Sequence, residues 1–159
     1  MTLRIRAAES ADVSVIATLI RELAKFEKLE DQVVMTDELL RTGLFGPHAY
    51  AETVIAEENG RPIGFALFFH TFSTFLARPG LYLEDLFVLA DHRGRGVGRA
   101  LLAHLAHLAV ERGCGRLEWA VLNWNQEAVR FYERLGAKPN SEWTVYRLAG
   151  EALSALGRE

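Results

Sequence analysis

A strand-like apolar run that ends in a glycine-rich turn and opens a helix constrains this chain more than any other stretch. The run is Tyr82 to Leu89, the turn is Arg93-Gly94-Arg95-Gly96-Val97-Gly98, and helical periodicity continues from Arg99 to Arg112. Glycines lack a Cβ, so the backbone there can bend tightly and approach a ligand closely. The helix start adds unpaired N–H groups and the positive end of a dipole. Strand, bend and helix start in that order make a site for a phosphate or pyrophosphate.

Spacing narrows the ligand. A P-loop needs Lys-Ser/Thr after its last glycine, and here Arg99-Ala100 follows Gly98. A dinucleotide fold wants its loop near the start of a βαβ unit with an acid at a strand end about 20 residues on. This loop lies past the middle of the chain, and Glu111 falls within a helical pattern. What remains is Arg-x-x-Gly-x-Gly, carried by Arg93, Gly96 and Gly98. A glycine turn before a surface helix is the plainer alternative for the same residues.

The rest of the chain reads as follows. Leu3, Ile5 and Ala7 alternate with Arg4 and Arg6, a strand pattern over Met1 to Ala8. Ser10 is placed to cap a helix whose apolar face is Val13, Ile16, Ala17, Ile20, Leu23 and Ala24. Thr36 caps a second helix ending near Gly43. Thr53 to Glu58 and Pro62 to Thr71 form strands joined at Asn59-Gly60, a hairpin signal. Leu81 to Leu89 is a further strand. Leu101, Leu102, Leu105, Leu108 and Ala109 mark the buried face of the helix after the glycine turn. Gly113 and Gly115 stop that helix. Leu117 to Leu122 is a strand, Ala128, Phe131, Tyr132 and Leu135 mark a short helix, and Trp143 to Leu148 is a last strand. The tail from Glu151 reads as a frayed helix. The order βααβββαβαβ, a mixed sheet with helices on both faces, fits α+β packing.

At 159 residues the chain makes one domain, over 1–150, with 151–159 as a tail. A net charge of −3 argues against a broad nucleic-acid surface and suits a cationic small substrate. No apolar run reaches membrane-spanning length, and the N-terminus does not read as a signal peptide, so the cytoplasm is expected. The single cysteine, Cys114, cannot form an intrachain disulfide and sits in a turn. His70, His104 and His107 lack a ligand-like set of partners, so no metal is expected.

Arg93-x-x-Gly96-x-Gly98, followed by Asn125-x-x-Ala128-x-x-Phe131-Tyr132 and Gly136-Ala137, resembles the two hallmarks of the GNAT N-acetyltransferases, in order and across nearly the whole chain. Glu22-Leu23-Ala24-Lys25-Phe26-Glu27, Tyr82-Leu83-Glu84-Asp85-Leu86-Phe87-Val88 and Trp124-Asn125 resemble the diamine (spermidine/spermine) and thialysine N-acetyltransferase branch. Phe26 departs from that branch, which often has tyrosine there.

The resemblance implies acetyl transfer from acetyl-CoA to a primary amine by direct attack, in an enzyme that is commonly a homodimer. Gly94, Gly96, Val97, Gly98 and Arg99 then line the diphosphate site, with Arg93 and Arg95 adding charge. Leu86, Phe87 and Val88 carry the pantetheine through backbone groups, as an added strand would. Asn125 and Ala128 belong to the same cofactor set, with Asn125 equally suited to cap a helix. Tyr132 also touches the cofactor and matches the family's general acid. Glu84 holds the ammonium and removes its proton, directly or through water. On a regular strand Asp85 then points to the other face. Phe26 and Glu27 join Glu84 around the substrate, and Glu27, Glu30 and Asp31 form an acidic cluster interleaved with Lys25 and Lys28. The apolar loop Phe72 to Leu76 walls the amine site or meets a second subunit. Glu84 paired structurally with an arginine and Tyr132 as a packing residue are the plain alternatives. Rival functions are another acceptor amine, a non-catalytic acyl-CoA-binding module and a nucleotide binder.

Overall fold

The computed structural model describes residues 2–159, so Met1 lies outside the described residues. The chain divides into two compact units, Met1–Ala120 and Val121–Glu159.

The first unit is built on one mixed sheet of five strands in the order β1-β2-β3-β4-β5. Strands β1 (Leu3–Ala7), β2 (Glu52–Glu58), β3 (Arg61–Ser73) and β4 (Arg78–Val88) run antiparallel, and β5 (Leu117–Trp119) joins parallel to β4. Asn59 and Gly60 take φ values of 52° and 81°, the left-handed pair that a two-residue hairpin requires. A parallel neighbour needs a long crossover, which α3 (Val97–Glu111) supplies between β4 and β5.

Helices cover both sheet faces. Leu19 and Leu23 of α1 (Val13–Phe26) pack with Phe65 and Phe87, while Ile16 packs with Ile55 and with Leu44 of α2 (Asp37–Phe45). Phe68 leaves β3 on the opposite side from Phe65, and Arg112, just past α3, lies over its ring at 5.9 Å. Val97, Leu101 and Leu105 bury the inner face of α3. The α+β architecture follows from two amphipathic layers closing on one sheet.

Local signals set most boundaries. The Thr36 hydroxyl accepts the Leu39 N–H at 3.2 Å and starts α2, which runs past Gly43 to Phe45. Ser10 does not cap the first helix. Glu9 and Asp12 do that work around a short 3-10 turn, with the Glu9 N–H donating to Asp12 at 2.7 Å. Asp12 also accepts a two-pronged bond from Arg6 at 2.8 and 2.9 Å, and Arg6 Nε reaches Glu57 at 2.5 Å. One arginine thus ties β1 to β2 and to the entry of α1.

In the second unit, α4 (Gln126–Arg134) begins where the Asn125 side chain accepts the Ala128 N–H at 3.2 Å. Gly136, with φ of 91°, follows its end. Helix α5 (Gly150–Leu156) is the expected terminal helix. The expected last strand over 143–148 is corrected: no strand is found there, and Val145 and Tyr146 are 92% and 93% exposed. Alternating apolar residues make a segment able to pair, but a strand exists only when a ladder partner takes its backbone groups. Likewise β5 ends at Trp119, short of Leu122.

Candidate active site

The glycine turn has the backbone its sequence implies. Gly94 and Gly96 have φ values of 75° and 84°. A Cβ at either would meet nothing within 4 Å, so the backbone angle, not crowding, demands glycine. Gly96 is the N-cap of α3, and its carbonyl accepts the Ala100 N–H at 3.0 Å. The N–H groups of Val97, Gly98 and Arg99 precede that bond and have no carbonyl to use within the helix. They form a concentration of donors suited to a diphosphate.

The strand leading into the turn has one open edge. Leu86, Phe87 and Val88 pair on one side with Ala66, Phe65 and Gly64 of β3. On the other side β5 pairs only with Leu81, Tyr82 and Leu83. Among the described residues, the stretch of β4 from Glu84 to Val88 therefore has no strand on that side. Parted strands of this kind leave amide groups for an extended ligand to bond.

A β-bulge lies where the strands part. Leu67 faces Asp85 while Phe68 faces Leu83, so Glu84 is one extra residue on β4. Asp85 keeps the regular alternation with Phe87, and the bulge instead sets Leu83 opposite Phe68, on the other face. Asp85 shares the face of Leu67, Phe65 and Phe87, beneath α1. Burial, then the charges of Glu84 and Glu27, push the Asp85 carboxyl up to about 6. Burial also raises Glu27. Burial, then Glu84, raises the Tyr82 phenol. Glu27 from the end of α1 and Glu84 with Asp85 from the bulge thus form one acidic group. Phe26, half-exposed, stands next to Glu27. Glu30 and Asp31 sit on a separate exposed 3-10 turn, Glu30–Gln32.

The protein itself holds both loop arginines. Arg93 Nε donates to the Val88 carbonyl at 2.8 Å, and its guanidinium lies 4.6 Å from the Phe26 ring centre and 5.2 Å from that of Phe87. Arg95 reaches both carboxylate oxygens of Glu58 at 3.3 and 3.4 Å. Arg99 is exposed in the first turn of α3. The first unit therefore brings together Phe26, Glu27, Glu84, Leu86, Phe87, Val88 and the loop from Arg93 to Arg99.

Asn125, Ala128 and Tyr132 form a second group, on α4 of the other unit. Asn125 is the helix N-cap, as its alternative reading required, and the Tyr132 ring lies 5.5 Å from that of Phe131. Phe75, at the β3–β4 tip, is fully exposed. Among the described residues, no group of three or more His, Cys, Asp or Glu side chains is arranged to hold a metal ion. No helix among them is long and apolar enough to cross a membrane.

Asp85 has no part in the site expected from the sequence, and nothing in the local sequence singles out Glu58. Two adjacent acids in an otherwise apolar strand are the signal that marks Asp85.

Residues 17–137 match the model of the acetyltransferase (GNAT) family. The thialysine N-epsilon-acetyltransferase of Bos taurus is 37% identical, over 96% of this chain and 95% of its own length. An L-ornithine N5-acetyltransferase of Arabidopsis thaliana is 33% identical, over 98% of this chain and 88% of its own. Among solved structures, an integron cassette protein from the mobile metagenome of V. cholerae superposes with a TM-score of 0.85 at 28% identity, over 100% of this chain and 99% of that one.

Proposed function

The chain belongs to the acetyltransferase (GNAT) family and is an N-acetyltransferase; on that premise we propose that it moves the acetyl group of acetyl-CoA to a primary amine of a thialysine-like compound, a diamine or a polyamine. The observation that carries this reading is the acidic group of Glu27, Glu84 and Asp85 where β4 and β5 part. Three carboxyl groups gathered there favour a cation.

Acetyl-CoA supplies the activated thioester. The N–H groups at the start of α3 receive its diphosphate, and the open edge of Leu86, Phe87 and Val88 receives the amides of its arm. An alkylammonium has a pKa of about 10 and carries no free lone pair at neutral pH. Glu84, exposed at the bulge, takes its proton directly or through water. Asp85 and Glu27 hold the charge of the incoming amine. The freed lone pair attacks the thioester carbonyl carbon, a C–N bond forms, and the C–S bond breaks as the intermediate collapses. Tyr132 gives its phenolic proton to the departing thiolate, so coenzyme leaves as the free thiol, while the nitrogen sheds its second proton to solvent and Tyr132 recovers one from it.

The pH dependence follows from the bulge. Burial and the neighbouring charges hold the Asp85 carboxyl well above the ordinary carboxylate range, so the low-pH limb is assigned to Asp85. Protonation of a carboxyl raised to about 6 removes the charge that holds the amine. In the pH–rate profile, kcat/KM for the amine is expected to fall as pH drops through about 6. Asp85→Asn is expected to move that limb to lower pH. A limb unchanged in the folded variant contradicts the role given to Asp85.

Thiol release from acetyl-CoA across a panel of amines tests the function as a whole. Thialysine, L-ornithine, spermidine and short diamines are expected to release thiol, with monoamines poorer. Release with an N-terminal peptide alone would assign a different acceptor. Thermal stabilisation by acetyl-CoA with no release by any amine would make the protein an acyl-CoA-binding module. The same reading takes the enzyme to be a cytoplasmic homodimer, with the apolar tip at Phe72 and Phe75 as surface for a second copy to cover.

A further inference from the structure

We propose that Glu58, at the end of β2, is a positioning residue for the coenzyme, holding the loop that receives the diphosphate in its binding shape. The inference rests on the assignment of residues 93–98 as that loop. Glu58 is remote from the loop in sequence, and its side chain is only 13% exposed. One of its oxygens meets His92 Nδ1 at 2.6 Å. Both oxygens meet the fork of Arg95 at 3.3 and 3.4 Å. Arg95 also donates to the Asp91 carbonyl at 3.3 Å and meets His92 Nδ1 at 2.7 Å. Asp91, His92 and Arg95 are thus gathered onto the end of the first hairpin.

The loop needs such an anchor. Gly94 and Gly96 both take left-handed angles, and glycine loses more backbone freedom on ordering than any other residue. A loop left to order only when ligand arrives gives up affinity for that ordering. Arg93 fixes one side of the loop to β4 through the Val88 carbonyl. Glu58 fixes the other side to β2. Its carboxylate does not oppose the incoming diphosphate as a bare charge, because Arg95 and His92 face it. Arg95 acts on the coenzyme through this clamp, by placing the N–H groups that follow it.

The test is titration of the full chain with CoA, beside steady-state kinetics, for Glu58→Ala, Arg95→Ala and the double variant, with melting curves confirming that each is folded. Glu58→Ala is expected to weaken CoA binding and raise KM for acetyl-CoA about five- to tenfold, as expected for partly exposed charge-assisted bonds. Its kcat at saturating acetyl-CoA and its KM for the amine should stay within about twofold, because uniform binding alone is lost. The double variant should bind CoA no worse than the weaker single, since the two residues act as one unit. Glu58→Gln, which keeps an acceptor and loses the charge, should fall between wild type and Glu58→Ala. Unchanged CoA affinity in folded Glu58→Ala and Glu58→Gln overturns the clamp, as do losses that multiply in the double variant. Gly96→Ala separates this from the premise, because an alanine there is strained by the 84° φ. If Gly96→Ala loses affinity while Glu58→Ala does not, only the clamp fails. If Gly96→Ala binds CoA as wild type does, the loop assignment fails and the clamp falls with it.

Discussion

Tyr132→Phe is expected to lower kcat by roughly 100- to 10,000-fold, the range for loss of a general acid, while changing acetyl-CoA affinity little. The leaving thiolate needs a proton as the C–S bond breaks. A phenol with pKa near 10 is protonated at neutral pH and can donate it. Phenylalanine keeps the ring and its neighbour Phe131, 5.5 Å away between ring centres, and removes only the hydroxyl. The loss should therefore fall on kcat and on kcat/KM together, the pattern of an interaction made in the transition state. Single-turnover measurement of thiol release separates chemistry from product release. A near-normal rate, with chemistry shown to be limiting, removes Tyr132 from the mechanism.

Arg6→Met is expected to destabilise the fold by about 3 kcal/mol, the low end for breaking a buried ion pair because these groups retain slight solvent access. Arg6, Asp12 and Glu57 have side chains 23%, 13% and 11% exposed. Methionine fills part of the volume and leaves the carboxylates of Asp12, at the entry of α1, and Glu57, on β2, without the cation they share. The Arg6 guanidinium holds the Asp12 carboxyl below its ordinary range, despite burial acting the other way. The folded value is the lower one, so this stabilisation is complete above the unfolded carboxylate range near 4. It is lost as pH falls through the depressed value. Urea unfolding at pH 7 and at pH 3 checks both points: the wild type should lose part of its advantage over Arg6→Met in acid. Equal stability of the two proteins at pH 7 contradicts the network's role.

What the sequence carries openly is what short-range chemistry decides. Asn59-Gly60 can hardly be anything but a tight hairpin, Thr36 starts a helix three residues before the N–H it accepts, and the glycines at 94 and 96 announce left-handed backbone. The bulge at Glu84 has no such local mark. It is a mismatch in count between β3 and β4, visible only once Leu67 is set opposite Asp85. Asp85 lies on the face beneath α1 by its alternation with Phe87, and the tertiary fold alone brings Glu27 from the end of α1 to it. The partner of Arg95 is hidden for a related reason, since Glu58 comes from the end of β2, 37 residues away in sequence. Residues 143–148 show the opposite error: their pattern records capacity to pair, and no ladder partner uses it in the structure.

The amide donors at the start of α3 are expected to receive the coenzyme's diphosphate while the open edge of β4 aims its thioester at Glu84, Asp85 and Glu27. A crystal structure with bound CoA measures this directly. The diphosphate oxygens are expected within hydrogen-bond distance, about 3 Å, of the N–H groups between Gly94 and Arg99, with the arm along Leu86 to Val88. A diphosphate lodged away from that turn contradicts the account.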